Sequence, residues 1–173
     1  ICCYNVEDFL QNWDNDSFCV EYYNANWDRP CTFIDDDTFV IAIDRENFEM
    51  DEDGEKYKQI QLAYFRLSEK GESRWLPAYK TVKADLFGPD DAEVRGELHY
   101  DAQSGLLIAL SRAGAYAATL DGEVQWHDPS LVFVDRAGVT LPSPKEAGWQ
   151  YSSQHRCFYK FISDRLEIKQ LPL

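Results

Sequence analysis

Between Leu98 and Trp126 the sequence repeats one short grammar: an apolar run of a few residues, then a turn carrying glycine. Leu98 and Tyr100 lead to Ser104-Gly105, Leu106 to Leu110 lead to Ala113-Gly114, and Ala115 to Leu120 lead to Asp121-Gly122, before Val124 to Trp126. Runs this short cannot make stable helices. Glycine at each break supplies the backbone freedom that a tight reversal needs. A chain written this way folds as an antiparallel meander of short hairpins.

The same pattern recurs on both sides. Phe18, Val20 and Tyr22 alternate with Cys19, Glu21 and Tyr23 as in a strand. Thr38 to Asp44 is continuous and β-branched, which predicts a strand covered on both faces. Residues 60–67 offer two alternating apolar sets, and Arg74 to Leu76 resume after a turn at Lys70-Gly71-Glu72. Leu131 to Val134 with Gly138 to Leu141 predict a hairpin, and so do Cys157 to Ile162 with Leu166 to Leu171 around Ser163-Asp164. Tyr79 to Phe87 fits neither period. One helix is predicted: Val6, Phe9, Leu10 and Trp13 have helical spacing, with Asn5 as cap and Glu7 and Asp8 suited to the positive end of its dipole.

The expected fold is therefore mainly β, with a short N-terminal helix, in one domain spanning residues 1–173. Gly88-Pro89-Asp90-Asp91 mark a loop over 88–96 between sub-halves 1–87 and 97–173. The string ELHYDAQSGLLIALSRAGAYAATLDGEVQW at 97–126 resembles one blade of a β-propeller, with an Asp-Gly turn before a Trp. Residues 32–75 are similar to a looser second copy, and 131–171 leave room for a third. The resemblance implies a small or incomplete propeller-like sheet. A sandwich of hairpins fits the same strands. Neither fold implies a function.

Charge restricts the partners. The chain holds 31 acidic and 17 basic side chains, and 16 of the acids but only 4 of the bases lie in residues 1–60. Such a surface repels phosphate backbones, which excludes nucleic acid as a direct ligand. No apolar run reaches the roughly 18 residues of a membrane-spanning helix. Two acidic clusters stand out, Asp35-Asp36-Asp37 and Glu49 with Asp51, Glu52 and Asp53. Solvated loops are one reading of them; a face that steers a basic protein is the other. Calcium is disfavoured, because a loop starting at Glu49 puts Ile60 where a bidentate Glu belongs. Trp27, Tyr22 and Tyr23 lie close in sequence to these acids, and aromatic anchors inside a charged rim are what tight interfaces use.

Catalytic motifs are missing. There is no nucleophile elbow, phosphate loop or paired zinc-ligand spacing. His99, His127 and His155 are far apart in sequence. Cys157 follows His155 by two residues, yet it opens an apolar run and reads as a structural thiol. The five cysteines read as mostly reduced and buried, in a cytoplasmic protein; a periplasmic protein with a Cys19–Cys31 bridge is the alternative if a signal was removed. The expectation is a non-enzymatic, cofactor-free acidic protein. It would act as an immunity-type inhibitor that neutralises a basic bacterial toxin or effector through Asp35, Asp36, Asp37, Glu49, Asp51, Glu52, Asp53, Tyr22, Tyr23 and Trp27. A carbohydrate-binding or hydrolytic β-domain using carboxylates and Trp is a second reading, and a scaffold fragment of a larger propeller-like protein a third.

Overall fold

A computed structural model describes residues 2–3, 18–20, 30–50, 56–67, 75–76, 78–84, 86–87, 96–134 and 148–172. Fourteen strands are present: β1 (Cys2–Cys3), β2 (Phe18–Val20), β3 (Cys31–Phe33), β4 (Thr38–Met50), β5 (Lys56–Arg66), β6 (Trp75–Leu76), β7 (Lys80–Lys83), β8 (Gly96–Asp101), β9 (Leu106–Ser111), β10 (Gly114–Ala118), β11 (Val124–Asp128), β12 (Gln150–Ser152), β13 (Cys157–Ile162) and β14 (Arg165–Gln170). Eleven of them build three antiparallel sheets in the orders β3-β4-β5-β7, β8-β9-β10-β11 and β12-β13-β14. The strands β1, β2 and β6 form a small mixed sheet in which β2 and β6 run parallel. Among the described residues there is no helix, and no sheet closes into a barrel. The helix predicted over Val6 to Trp13 lies outside the described residues.

Alternation along β4 and β5 sorts their side chains between two cores. Val40, Ala42, Leu62 and Tyr64 join Leu98, Leu107, Ala109, Tyr116 and Ala118 in a core between the first and second sheets. This cluster draws on residues from both predicted sub-halves; residues 88–95 lie outside the described residues, and Gly96 opens β8. Phe39, Ile41, Ile43, Ala63 and Phe65 form a second cluster on the other face of the first sheet. The second sheet repeats the arrangement: Ile108, Leu110, Ala115 and Ala117 meet Tyr151, Phe158 and Leu171 of the third. The strands β3, β8 and β12, which open the three sheets, are neighbours in that order.

Polar contacts tie the sheets together at their rims. Tyr64 donates its hydroxyl proton to the Leu120 carbonyl at 2.8 Å, and Lys80 reaches the same carbonyl and the Asp121 carboxylate. Lys169 of β14 pairs with Asp128 of β11. The hydrogen bond from Lys169, helped by Ser130, holds the Asp128 carboxyl down to about 2.

Two sequence readings need correction. Leu131 to Val134 do not form a strand; they follow an irregular path fixed by isolated backbone bonds, Leu131 N–H to Asp128 O, Phe133 N–H to Ser111 O and Trp149 N–H to Val132 O. The run is apolar because Leu131 is buried beneath the second and third sheets, not because it joins a ladder. The segment that fitted neither period contains β7, which pairs with β5 from Gln61↔Lys83 to Tyr64↔Lys80.

Glycine is required where the meander turns closest to itself. Gly114 has φ +120°, and a Cβ there would lie 2.5 Å from the Asp128 carbonyl oxygen. Gly105 has φ +72° with open space around it. Gly105→Ala should therefore cost about 1 kcal/mol through backbone strain alone. Gly114→Ala should cost about 2–3 kcal/mol or more, because backbone must also move. Urea unfolding of the two variants measures the difference. A second outcome concerns acid. The Asp128 carboxyl is held below its ordinary 3.8, so its contribution to stability is complete above about pH 4 and is lost as pH falls towards 2. Asp128→Asn should flatten the dependence of the urea midpoint on pH across that window.

Candidate protein-binding surface

The turn between β3 and β4 is built by its own first acid. Asp35 Oδ1 accepts the N–H of Asp37 at 2.9 Å and that of Thr38 at 2.6 Å, while the Ile34 N–H reaches the Thr38 carbonyl at 3.0 Å. This is an Asx-type turn, in which a short carboxylate side chain stands in for backbone. The Asp37 N–H above all, with Thr38 and the nearby Arg66 guanidinium, holds the Asp35 carboxyl below the usual carboxylate range. Asp35 is therefore ionised at neutral pH. Asp37 O accepts the Leu67 N–H at 2.8 Å, which fastens the turn to the end of β5.

An aromatic side chain sits beside these acids. Phe33, the last residue of β3, is 55% exposed although it lies opposite the buried Phe39. Its ring is 5.6 Å from Phe39, which stacks on Phe65 at 5.0 Å, so a rigid aromatic ladder across β3, β4 and β5 ends at the surface. The sequence reading missed Phe33. The signal was its position two residues before the Asp cluster, on a strand too short to bury both faces. Near the other side of the turn, the Arg66 guanidinium lies 4.3 Å from the centre of the half-exposed Tyr79 ring.

The two acidic clusters are not neighbours. Glu49 lies near the far end of β4, and twelve strand residues separate it from Asp37 by roughly 40 Å at the usual rise per residue. Asp51, Glu52, Asp53, Tyr22, Tyr23 and Trp27 lie outside the described residues. Of the residues singled out for binding, Asp35, Asp36 and Asp37 are thus the ones placed together, and they are placed with Phe33.

A second polar cluster joins the second and third sheets. On β8, Leu98 turns into the core, while Glu97, His99 and Asp101 project from the opposite face. Asp101 is almost fully buried and bidentate with Arg156, whose Nε lies 3.0 and 3.1 Å from its two oxygens and whose terminal nitrogen donates at 2.7 Å. Ser104 adds its hydroxyl and its N–H to Oδ2. Burial alone would raise the Asp101 carboxyl, yet Arg156 and Ser104 outweigh it and hold the group below the usual range. Glu97 accepts from the Tyr151 N–H at 3.3 Å and lies 3.1 Å from His99 Nε2. Burial and the nearby Asp101 push the Tyr151 hydroxyl up to about 12. The carboxylate that could do chemistry here is fully occupied in holding Arg156, so the cluster works as a lock between sheets.

The remaining candidates disperse. His127 stacks on Tyr116 at 4.1 Å and contacts the Ala113 carbonyl. His155 belongs to the turn before β13, whereas Cys157 is the buried first residue of that strand, so the two do not share a strand face. Cys31 and Cys157 are free thiols, so Cys31 is not bridged to Cys19; Cys157 is buried, whereas Cys31, on the short edge strand β3, is exposed, against the expectation of a buried thiol. Among the described residues no three His, Cys, Asp or Glu side chains converge to hold a metal ion, and no helix is long and apolar enough to cross a membrane. Compared with protein families, curated proteins and solved structures, the chain finds no match.

The lock makes a sharp contrast with a surface pair. Asp101→Asn leaves Arg156 without its buried counter-charge and should destabilise the protein by about 3 kcal/mol or more. Asp121→Asn removes only the exposed partner of Lys80 and should change stability by less than about 1 kcal/mol. Chemical denaturation of both variants at neutral pH checks the ranking.

Proposed function

We propose that this protein is a non-enzymatic inhibitor of the immunity type. It binds a basic toxin or effector directly, in the cytoplasm of a bacterial cell, and covers the basic surface on which that toxin depends. The observation that carries this reading is the pairing of an exposed, rigidly backed Phe33 with the acidic turn Asp35-Asp36-Asp37. An aromatic anchor held by a fixed backbone loses little entropy on docking, and the charged rim speeds encounter with a basic partner. The charge distribution supports it too, because the acidic excess lies in the same third of the chain as this turn. The three sheets that carry the turn are read as successive blades of an incomplete propeller. Their stacked faces and the adjacency of β3, β8 and β12 support that finer reading.

The test starts from capture on the immobilised protein at low salt, followed by kinetics with the purified partner. A basic protein should be retained in stoichiometric amount, and its association should slow by about tenfold between dilute and half-molar salt. Phe33→Ala should speed dissociation about tenfold or more, whereas Asp36→Lys should act mainly on association. Co-expression should protect cells from the captured protein. Capture of no basic protein, or binding indifferent to salt and to both substitutions, overturns the proposal.

A further inference from the structure

The third sheet has one face in the core and one in solvent. Tyr151 and Phe158 point into the core shared with the second sheet. On the opposite face Tyr159 is paired with Ile168 and Phe161 with Leu166, and Phe161, Leu166 and Ile168 are each at least 50% exposed. All six residues of β14 are exposed, and among the described residues no strand pairs with its outer edge. Such an edge is normally blunted by shortness, by lysine or by a bulge. The other outer edges show these devices: β7 is four residues long with Lys80 and Lys83 at its ends, and β11 lies opposite a register shift at Ala117/Ala118. The strand β14 also carries Arg165, Glu167 and Lys169, but it is six residues long with a regular register along its whole length, and its outer face is apolar at Leu166 and Ile168.

We propose that β14 pairs antiparallel with β14 of a second copy of this chain, about a twofold axis through Ile168. The outward backbone groups fix the choice. The Leu171 N–H donates to the Arg156 carbonyl, so alternation along the ladder turns Lys169, Glu167 and Arg165 toward β13 and leaves the N–H and C=O of Leu166, Ile168 and Gln170 facing out. Five registers are compatible with those outward groups, with the axis on any residue from Leu166 to Gln170; axes through Lys169 and Gln170 pair only the end of the strand, and the first of them sets Lys169 against itself. An axis through Glu167 sets Glu167 against itself and Arg165 against Lys169 of the second copy, which is repulsive at every charged position. An axis through Leu166 runs the strand into the Ser163-Asp164 turn and sets Ile168 against an acid. An axis through Ile168 pairs the full strand: Leu166 meets Gln170, Ile168 meets Ile168, and Glu167 meets Lys169 twice. Those charge pairs occupy the non-hydrogen-bonded positions, where opposite side chains approach most closely. The two apolar stripes then abut at Ile168.

The charge of the chain permits this contact. Residues 121–173 carry 7 acidic and 6 basic side chains, so the pairing edge lies in the nearly neutral third, apart from the acidic excess. Each copy uses its β14 edge once, and a twofold contact of one edge with itself closes the assembly at two.

Sedimentation velocity on the full chain, from about 1 to about 200 µM, tests the proposal. The expected result is a monomer–dimer equilibrium within that range, with no larger species. Ile168→Pro removes one outward N–H and none that β13 uses, so it should leave thermal unfolding of the monomer nearly unchanged and weaken dimerisation by at least about tenfold. Phe161→Ser removes a central residue of the apolar face and touches no edge group. A dimer that survives Ile168→Pro but is lost in Phe161→Ser would mean that the sheets pack face to face, and would overturn edge pairing. A monomer at every concentration overturns it as well. Neither substitution touches the Phe33 surface, so partner binding is read separately.

Discussion

The structure depends on a wall two strands wide that has no solvent side. Along β9, Leu107 and Ala109 face one core, and Ile108 and Leu110 face the other. On β10, Tyr116 and Ala118 join the first core while Ala115 and Ala117 join the second. A strand covered on both faces cannot alternate polar and apolar residues, and every position must be apolar or internally satisfied. Ser111 shows the second option, since its hydroxyl donates to the Gly114 carbonyl and accepts the Ala113 N–H. The alanines of β10 follow from the same constraint, because small side chains let larger ones from the neighbouring sheets reach the wall.

This wall explains what could be read in advance. The continuous run at Thr38 to Asp44 announced a doubly covered strand, and Leu106 to Leu110, legible as a short strand, proves to be covered on both faces as well. The breaks between strands were legible for a separate reason: Gly105, Gly114 and Gly122 all adopt positive φ, which few other residues reach without strain. The strand β7 was illegible because half its residues face solvent and its ends are lysines. Leu131 to Val134 misled because an apolar run reports burial and carries no information about hydrogen-bond partners. The Asp101–Arg156 lock could not be read at all. Its members are 55 positions apart, and among so many charged residues no local pattern marks the one pair that becomes buried.

The acidic turn shows a similar division. That Asp35, Asp36 and Asp37 form a solvated cluster was evident from composition. How their charge is used was not. Asp35 is consumed by the turn, where its carboxylate replaces a backbone acceptor, and Arg66 offsets part of its field. Under the proposed function, the field of this turn is therefore weaker than that of three isolated carboxylates. The feature that turns a charged loop into a plausible contact is the neighbouring Phe33, whose exposure follows from β3 being a three-residue edge strand unable to cover its own end.

Stacked meanders of this kind have two dissimilar ends, and the difference is physical. Each interior sheet satisfies both faces by sharing a core with its neighbours, so stability accumulates between sheets rather than within them. At an end, that arrangement leaves one face with no neighbouring sheet. The first sheet answers with a second apolar cluster around Phe39, Ile41 and Phe65, buried within the chain itself. Among the described residues the third sheet has no such cluster on its outer face. Its outer face keeps Tyr159, Phe161, Leu166 and Ile168, while the charged residues of β14 point the other way, where Lys169 holds Asp128 and Glu167 holds Lys160. Had solubility alone shaped this hairpin, the charges would face outward and the aliphatic residues inward. Here the alternation is reversed: the inner face is polar enough to lock onto β11, and the outer face is apolar. A sheet oriented in this way is arranged for contact on the side where the described residues supply none.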